Sequence, residues 1–107
     1  MRNANITKRS SLDVLVSALC RDYFRREEAI KKGGATKRTL TEFRYLNFKI
    51  AEAVEDVVGN EFVEFYIKEI GENIGYANSK TILSEVAYKE RKKQIKDSIA
   101  RKLYLSD

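Results

Sequence analysis

Apolar residues recur every three or four positions along most of the chain, which is the spacing of amphipathic helices. The first stretch predicts a helix from a cap at Ser10 or Ser11 to about Lys32, where Gly33 supplies a stop. Its expected inward stripe is Leu12, Leu15, Leu19, Tyr23 or Phe24, and Ile30. The second stretch predicts a helix from a capping box at 39–42 to about Val58, before Gly59. Its expected inward stripe is Phe43, Leu46, Ile50, Val54 and Val57.

Two further helices follow in the second half. Asn60 can cap a short apolar helix, after which Gly71 and Gly75 interrupt the pattern. The last candidate covers residues 83–105, with Ser84 as N-cap and an inward stripe of Tyr88, Ile95, Ile99 and Leu103. The pattern as a whole predicts a single all-α domain, 1–107, of four to five helices. Its residues 1–10 are expected to form a flexible basic arm.

The amino-acid composition limits the disulfides, metal sites and catalytic groups that this chain can form. Proline is absent, which favours long helices, and the single Cys20 cannot form an intramolecular disulfide. With no histidine, the chain lacks the usual zinc ligand sets and any Ser-His or Cys-His catalytic pair. We therefore expect no enzymatic activity, no metal and no cofactor. No apolar run is long enough to cross a bilayer, and residues 1–11 lack a signal-peptide core, so we expect a cytoplasmic protein.

Charge is unevenly distributed along the chain. Residues 1–49 carry 12 basic and 5 acidic side chains, residues 50–79 carry 1 and 7, and residues 80–107 carry 8 and 4. Basic ends around an acidic middle suggest that the ends face nucleic acid while the middle faces solvent or a basic protein. Local solubility is the simpler explanation of the same pattern.

The last predicted helix carries the densest basic cluster, and it is our candidate recognition helix. Seven Lys or Arg stand against two acids between Lys89 and Lys102, a surplus that suits a phosphate backbone. With Tyr88 and Ile95 inward, helical geometry turns Val86, Lys89, Glu90 and Lys93 outward. The candidate DNA-binding residues are Ser84, Glu85, Lys89, Arg91, Lys92, Lys93 and Lys96. A solvated amphipathic helix is the alternative interpretation.

A short helix, a turn and a longer basic helix predict a helix-turn-helix over residues 60–105. This half resembles the helix-turn-helix of bacterial sigma factors and, more closely, small phage regulators of the ArpU and RinA type. The resemblance rests on Leu83-Ser84-Glu85, on Tyr88 and Lys89, on Arg91-Lys92-Lys93 and on the Ile99-Ala100-Leu103 tail. The segment ENIGYANSKTI departs from it, being interrupted by glycine where the sigma module has a positioning helix.

The resemblance implies a sequence-specific, double-stranded-DNA-binding transcriptional regulator, phage-encoded or prophage-encoded, with RNA polymerase as a candidate partner. We also expect a homodimer, because the first two helices carry more apolar surface than a small helix-turn-helix must cover, and Phe43, Tyr45 and Phe48 suit core or dimer contacts. The alternative function is a helical protein-interaction factor: an RNA-polymerase-binding protein, a phage inhibitor of a host protein or a packaging subunit. The acidic, apolar middle of the chain favours that alternative.

Overall fold

A computed structural model describes the backbone of residues 2–104 and the side chains of residues 11–104. The helices are α1 (Arg2–Arg21), α2 (Tyr23–Lys32), α3 (Lys37–Val58), α4 (Val63–Gly71) and α5 (Glu85–Lys102), with short 3₁₀ turns at Asn60–Phe62 and Tyr76–Asn78. Residues 2–104 contain no strand. The all-α prediction is confirmed, with four or five helices depending on whether α1 and α2, separated only by Asp22, are counted together.

Helix α3 lies antiparallel to α5 and forms the centre of the fold. The Ser98 hydroxyl donates to the Ala53 carbonyl at 2.9 Å, and Arg91 Nη1 lies 3.5 Å from the Val57 carbonyl. Helix α3 also packs against α2 and α4, while α1 packs against α4 and α5. The most deeply buried side chains come from all of these layers except α2: Val16, Cys20, Ile50, Val54, Ile67, Ile70, Tyr88, Ile95 and Ile99.

The inward faces of the later helices agree with the apolar spacing, but that of α1 does not. Tyr88, Ile95 and Ile99 are buried and Leu103 packs against them, as expected for α5. In α1 the core positions are Val16 and Cys20, whereas Leu15 is 41% exposed. The predicted stripe is therefore wrong at Leu15, whereas Leu19 packs against the core and Tyr23 is buried, as predicted. Two apolar stripes run side by side on α1, and its packing against α4 and α5 decides which side chains are buried.

The predicted start of the first helix is also wrong. The backbone is helical from Arg2, so neither Ser10 nor Ser11 caps it, and the expected irregular arm is part of α1. No glycine or proline occurs before Gly33 to interrupt a helix. The basic contacts expected of this arm involve the side chains of residues 1–10, which lie outside the described ones. The predicted stop is confirmed, because α2 ends at Lys32 and Gly33 takes a left-handed φ of 66°.

A buried polar network joins the α1–α2 junction to α3. Arg26 donates from Nε to Asn47 Oδ1 and from Nη2 to the Leu19 carbonyl, both at 2.6 Å. Asn47 Nδ2 in turn donates to the Tyr23 carbonyl at 3.0 Å and to Glu27 Oε2 at 2.9 Å. Burial lowers the pKa of the Arg26 guanidinium. Arg26 is therefore buried and is not part of an exposed basic surface, and its hydrogen bonds hold α2 on α3.

The end of α3 is as predicted, and its start is not. The helix ends at Val58, and Gly59 has a φ of 85°. It begins at Lys37, because the Thr36 hydroxyl accepts from the Thr39 amide at 3.2 Å and so caps the helix earlier than the 39–42 box.

Two buried side chains, Cys20 and Tyr88, have raised pKa values, and we therefore expect the protein to be less stable at alkaline pH. Burial raises the pKa of the Cys20 thiol from 9.0 to about 12, and burial with a hydrogen bond to Glu69 raises that of Tyr88 from 10.0 to about 12. Each group favours the folded state while protonated, so its contribution is complete below the ordinary pKa and is lost as pH rises towards 12. Above its ordinary pKa, each group loses its proton in the unfolded chain but keeps it in the folded protein. We expect each such group to lower the free energy of unfolding by about 1.4 kcal/mol per pH unit.

Urea denaturation followed by circular dichroism at several pH values measures this slope. Between pH 9.0 and 10.0 the Cys20 thiol of the unfolded chain deprotonates before the Tyr88 hydroxyl does. Cys20→Ala should therefore make the free energy of unfolding less dependent on pH in this range. Parallel curves for the parent and Cys20→Ala would contradict the assignment.

Candidate nucleic-acid interface

The N-terminus of α5 is built as the sequence predicts. Ser84 is the N-cap, its hydroxyl accepts from the Ala87 amide at 3.3 Å, and Glu85 occupies the first turn. A carboxylate there interacts favourably with the unpaired amides of the helix start. Glu85 also pairs with Lys89 at 2.8 Å, one turn further along the exposed face.

The buried Glu69 of α4 holds the segment 72–84 that leads into α5. Its Oε1 accepts from the Ser79 hydroxyl and from the Tyr88 hydroxyl, both at 2.6 Å. The Ser79 oxygen then accepts from the Thr81 amide at 3.1 Å. One carboxylate therefore ties both the connecting segment and the first turns of α5 to α4.

Lys92 completes this arrangement from α5. Its Nζ donates to the Ile74 carbonyl at 2.7 Å and lies 5.0 Å from the centroid of the Tyr88 ring. Burial, followed by the charge of Lys96, lowers the pKa of Lys92. The hydrogen bond and the contact with the ring direct this ammonium group towards the connecting segment.

The connection between α4 and α5 differs from a standard helix-turn-helix. It runs from Glu72 to Ser84 and contains its own 3₁₀ turn, whereas the standard motif joins its helices by about three to four residues. In addition, α5 packs chiefly on α3. The described residues thus show a basic helix, α5, that packs on α3 and α1. They do not show the predicted helix-turn-helix.

The outward face of α5 is the one that its sequence indicates. Val86, Lys89, Glu90 and Lys93 are exposed, and Lys96 is half-buried on one flank. A shallow groove of about 260 Å³ follows this flank, and we call it the lysine groove; its lining is Asp13, Gly75, Tyr76, Tyr88, Lys89, Lys92, Lys93 and Lys96. Four cationic side chains therefore border one concave surface, with the Asp13 carboxylate opposite.

The structure separates the remaining predicted site residues from this groove. Arg91 lies on the other flank of α5, beside Val57 and an apolar hollow. Ser84 and Glu85 act on the start of the helix and on Lys89. The basic run is thus divided between two sides of α5, with Lys89, Lys93 and Lys96 remaining on the side that faces outward.

Arg21 extends the basic surface beyond α5. With Lys96, Asp13, Ser17 and Asn73, it lines a neighbouring hollow of about 320 Å³ between α1 and the end of α4. Arg21 lies far from Lys96 in the sequence, and nothing in the local pattern placed the two side by side. The contributions of Asp13 and Tyr76 had no sequence signal, because they come from other parts of the chain.

Tyr88→Phe tests the hydrogen bond by which Glu69 holds the first turns of α5. The phenyl ring keeps the packing but removes the donor to a buried carboxylate, and a hydrogen bond to a charged group is worth about 1.5 to 3 kcal/mol. We expect the free energy of unfolding to fall by about that amount in urea denaturation. Tyr45→Phe, on the exposed face of α3, is the matched control and should leave stability unchanged within about 0.5 kcal/mol. Equal effects of the two substitutions would contradict a stabilising hydrogen bond between Tyr88 and Glu69.

Comparisons of the chain with protein-family models, with curated proteins and with solved structures give no match. Among the described residues, no helix has both the length and the apolar character needed to cross a membrane. The same part of the chain contains no cluster of three or more side chains suited to hold a metal ion. The resemblance to ArpU and RinA regulators stays a prediction.

Proposed function

We propose that this protein binds double-stranded DNA through α5 and regulates transcription, as a phage-encoded or prophage-encoded factor. The observation that carries the proposal is the placement of Lys89, Lys93 and Lys96 on one outward side of α5, around the lysine groove. A positively charged helix face of this kind suits the phosphates that border a major groove. RNA polymerase is the candidate protein partner of such a regulator.

The residues of this face take different roles in the proposal. Lys89 lies near the start of α5 and on its exposed side, where a helix entering the major groove places side chains against base edges. Lys93, Lys96 and Arg21 lie further along the basic surface and contact phosphates. Ser84 and Glu85 hold the start of the helix, and Glu85 orients Lys89 through their ion pair.

Selection of bound sequences from a random duplex pool tests this function directly. Enrichment of one motif is the expected result for a sequence-specific regulator. A pool that stays random while binding falls steeply with salt would reduce the function to nonspecific association with polyanions. Absence of duplex binding at low salt would overturn the proposal.

A second candidate function is a protein-interaction factor without sequence-specific DNA binding. The aromatic side chains of Tyr45 and Phe48, 54% and 62% exposed on α3, favour it. The sequence offered core or dimer contacts for these two residues, and neither belongs to the core of the described chain. Salt titration separates the two functions, since an apolar protein interface lacks the linear log–log salt dependence of phosphate binding.

A further inference from the structure

An apolar hollow lies on the side of α5 opposite the lysine groove. It has a volume of about 390 Å³, and we call it the Phe62 hollow; its lining is Val58, Phe62, Phe65, Tyr66, Lys80, Thr81, Ile82, Leu83 and Arg91. Most of these side chains are apolar, and the cationic ones are Lys80 and Arg91. The hollow is formed where the end of α3, the start of α4 and the segment before α5 meet.

Two large apolar side chains of this lining project into solvent. Ile82 is 97% exposed and Phe62 is 48% exposed. Val86, one turn into α5, is also exposed. Single exposed apolar residues are ordinary, but exposed apolar side chains that border a concave apolar surface are typical of an interaction site.

Two cations line this hollow, and an acid adjoins one of its lining residues in the chain. Lys80 and Arg91 line the hollow, and neither forms an ion pair within the described part of the chain. Glu61 is exposed, immediately precedes Phe62, and stands one turn before Phe65. A two-fold symmetric interface uses one patch on both subunits, so that patch must contain a projection, a recess and complementary charges. All three are present here.

We propose that the Phe62 hollow is a self-association site occupied by a second copy of this chain. Ile82 of each copy enters the hollow of the other, and Glu61 of each copy faces Lys80 and Arg91 across the two-fold axis. The surface differs from that of the first two predicted helices, which correspond to α1, α2 and α3 and which the sequence indicated for a homodimer. Because Arg91 and the lysines lie on different flanks of α5, association leaves the lysine groove of each copy open.

Sedimentation of the full chain without DNA tests the proposal, and it gives a result independent of the proposed DNA binding. The expected species at tens of micromolar is a dimer of the 12.4 kDa chain. Ile82→Ser should weaken dimerisation by at least about tenfold, because burial of this side chain is lost, while its exposure leaves the monomer fold intact. Phe48→Ser removes another large exposed apolar side chain, from α3, and should leave dimerisation unchanged.

Charge exchange between two variants gives a sharper test. Glu61→Lys alone makes every charge of the patch positive, and the double variant Lys80→Glu, Arg91→Glu makes every one negative. Each variant should be monomeric by itself because like charges then meet across the axis. An equimolar mixture should form a heterodimer, in which opposite charges meet at both symmetry-related contacts.

Circular dichroism spectra and melting curves like those of the parent establish that each variant is folded before sedimentation. A parent that stays monomeric overturns the proposal. So does a dimer that persists in Ile82→Ser, or one that is lost in Phe48→Ser. A mixture of the charge variants that contains only monomers overturns the charge pairing.

Discussion

Replacing Lys89, Lys93 and Lys96 together by alanine is expected to weaken duplex binding by about a hundredfold at constant salt. These side chains form the outward part of the lysine groove, so their loss removes three phosphate or base contacts at once. The slope of log affinity against log salt concentration should decrease in magnitude by about two, since Lys93 and Lys96 each release one counterion fewer when their phosphate contacts are lost. Fluorescence anisotropy with a labelled duplex across a salt series measures both quantities.

The matched control removes three charges from the far end of the fold. Lys31, Lys32 and Lys37 lie at the end of α2 and the start of α3. Because α3 is antiparallel to α5 and Ala53 lies beside Ser98, the start of α3 extends past the C-terminal end of α5, away from Lys89. Lys32 is also paired with Glu28 at 3.0 Å, as Lys89 is with Glu85 at 2.8 Å. Equal losses in both triple variants would show that only net charge matters and would contradict a binding face on α5.

Single substitutions separate base contacts from phosphate contacts on that face. Lys89→Ala should cost about 1 to 3 kcal/mol on the preferred site and relax the sequence preference there. Lys93→Ala or Lys96→Ala should weaken all duplexes alike and lower the salt slope by about one. If all three single variants bind like the parent, α5 does not contact DNA and the protein-interaction function becomes the leading one.

The other large effect is expected at a glycine. Gly71→Ala should lower the free energy of unfolding by about 3 kcal/mol or more, at the upper end of what overpacking costs. A Cβ at this position would stand 2.7 Å from both Cα and N of Arg21 and 2.9 Å from the carbonyl carbon of Cys20. These atoms belong to backbone, so they cannot turn away as a flexible side chain would. Helices α1 and α4 would have to move apart, and urea denaturation measures the cost.

Gly75→Ala is the control for Gly71→Ala. Gly75 has a φ of −81°, which alanine adopts freely, and an added methyl group would meet no described atom within 4 Å. Its substitution should be neutral or stabilising by up to about 1 kcal/mol, because alanine restricts the unfolded chain. A neutral Gly71→Ala would contradict the close approach of α1 and α4.

Local interactions explain what could be predicted about α5. Its cap at Ser84 and the outward positions of Lys89 and Lys93 depend on hydrogen bonds and periodicity within a few residues. The same is true of the helix stops at Gly33 and Gly59, where a positive φ favours glycine. Such features follow from residues that are neighbours in the chain, and the sequence displays them directly.

Distant contacts explain the predictions that were wrong. The connection between α4 and α5 takes its course from Glu69, which binds Ser79 and Tyr88 much further along the chain. The burial of Arg26, a charged side chain, also depends on a hydrogen bond to Asn47 from another helix. The position of the core stripe on α1 likewise depends on the contact between Gly71 and Arg21.

The sequence by itself determined that the chain is all-helical, where α5 begins, and which of its lysines face outward, since a helix fixes those directions over a single turn. Only the tertiary structure decided that Lys92 binds the Ile74 carbonyl, that Arg91 joins an apolar hollow, and that Arg21 and Asp13 lie beside the lysines. The physical reason is that a flank of a helix becomes a groove only when another element packs beside it. Which element does so depends on the free energy of the whole core.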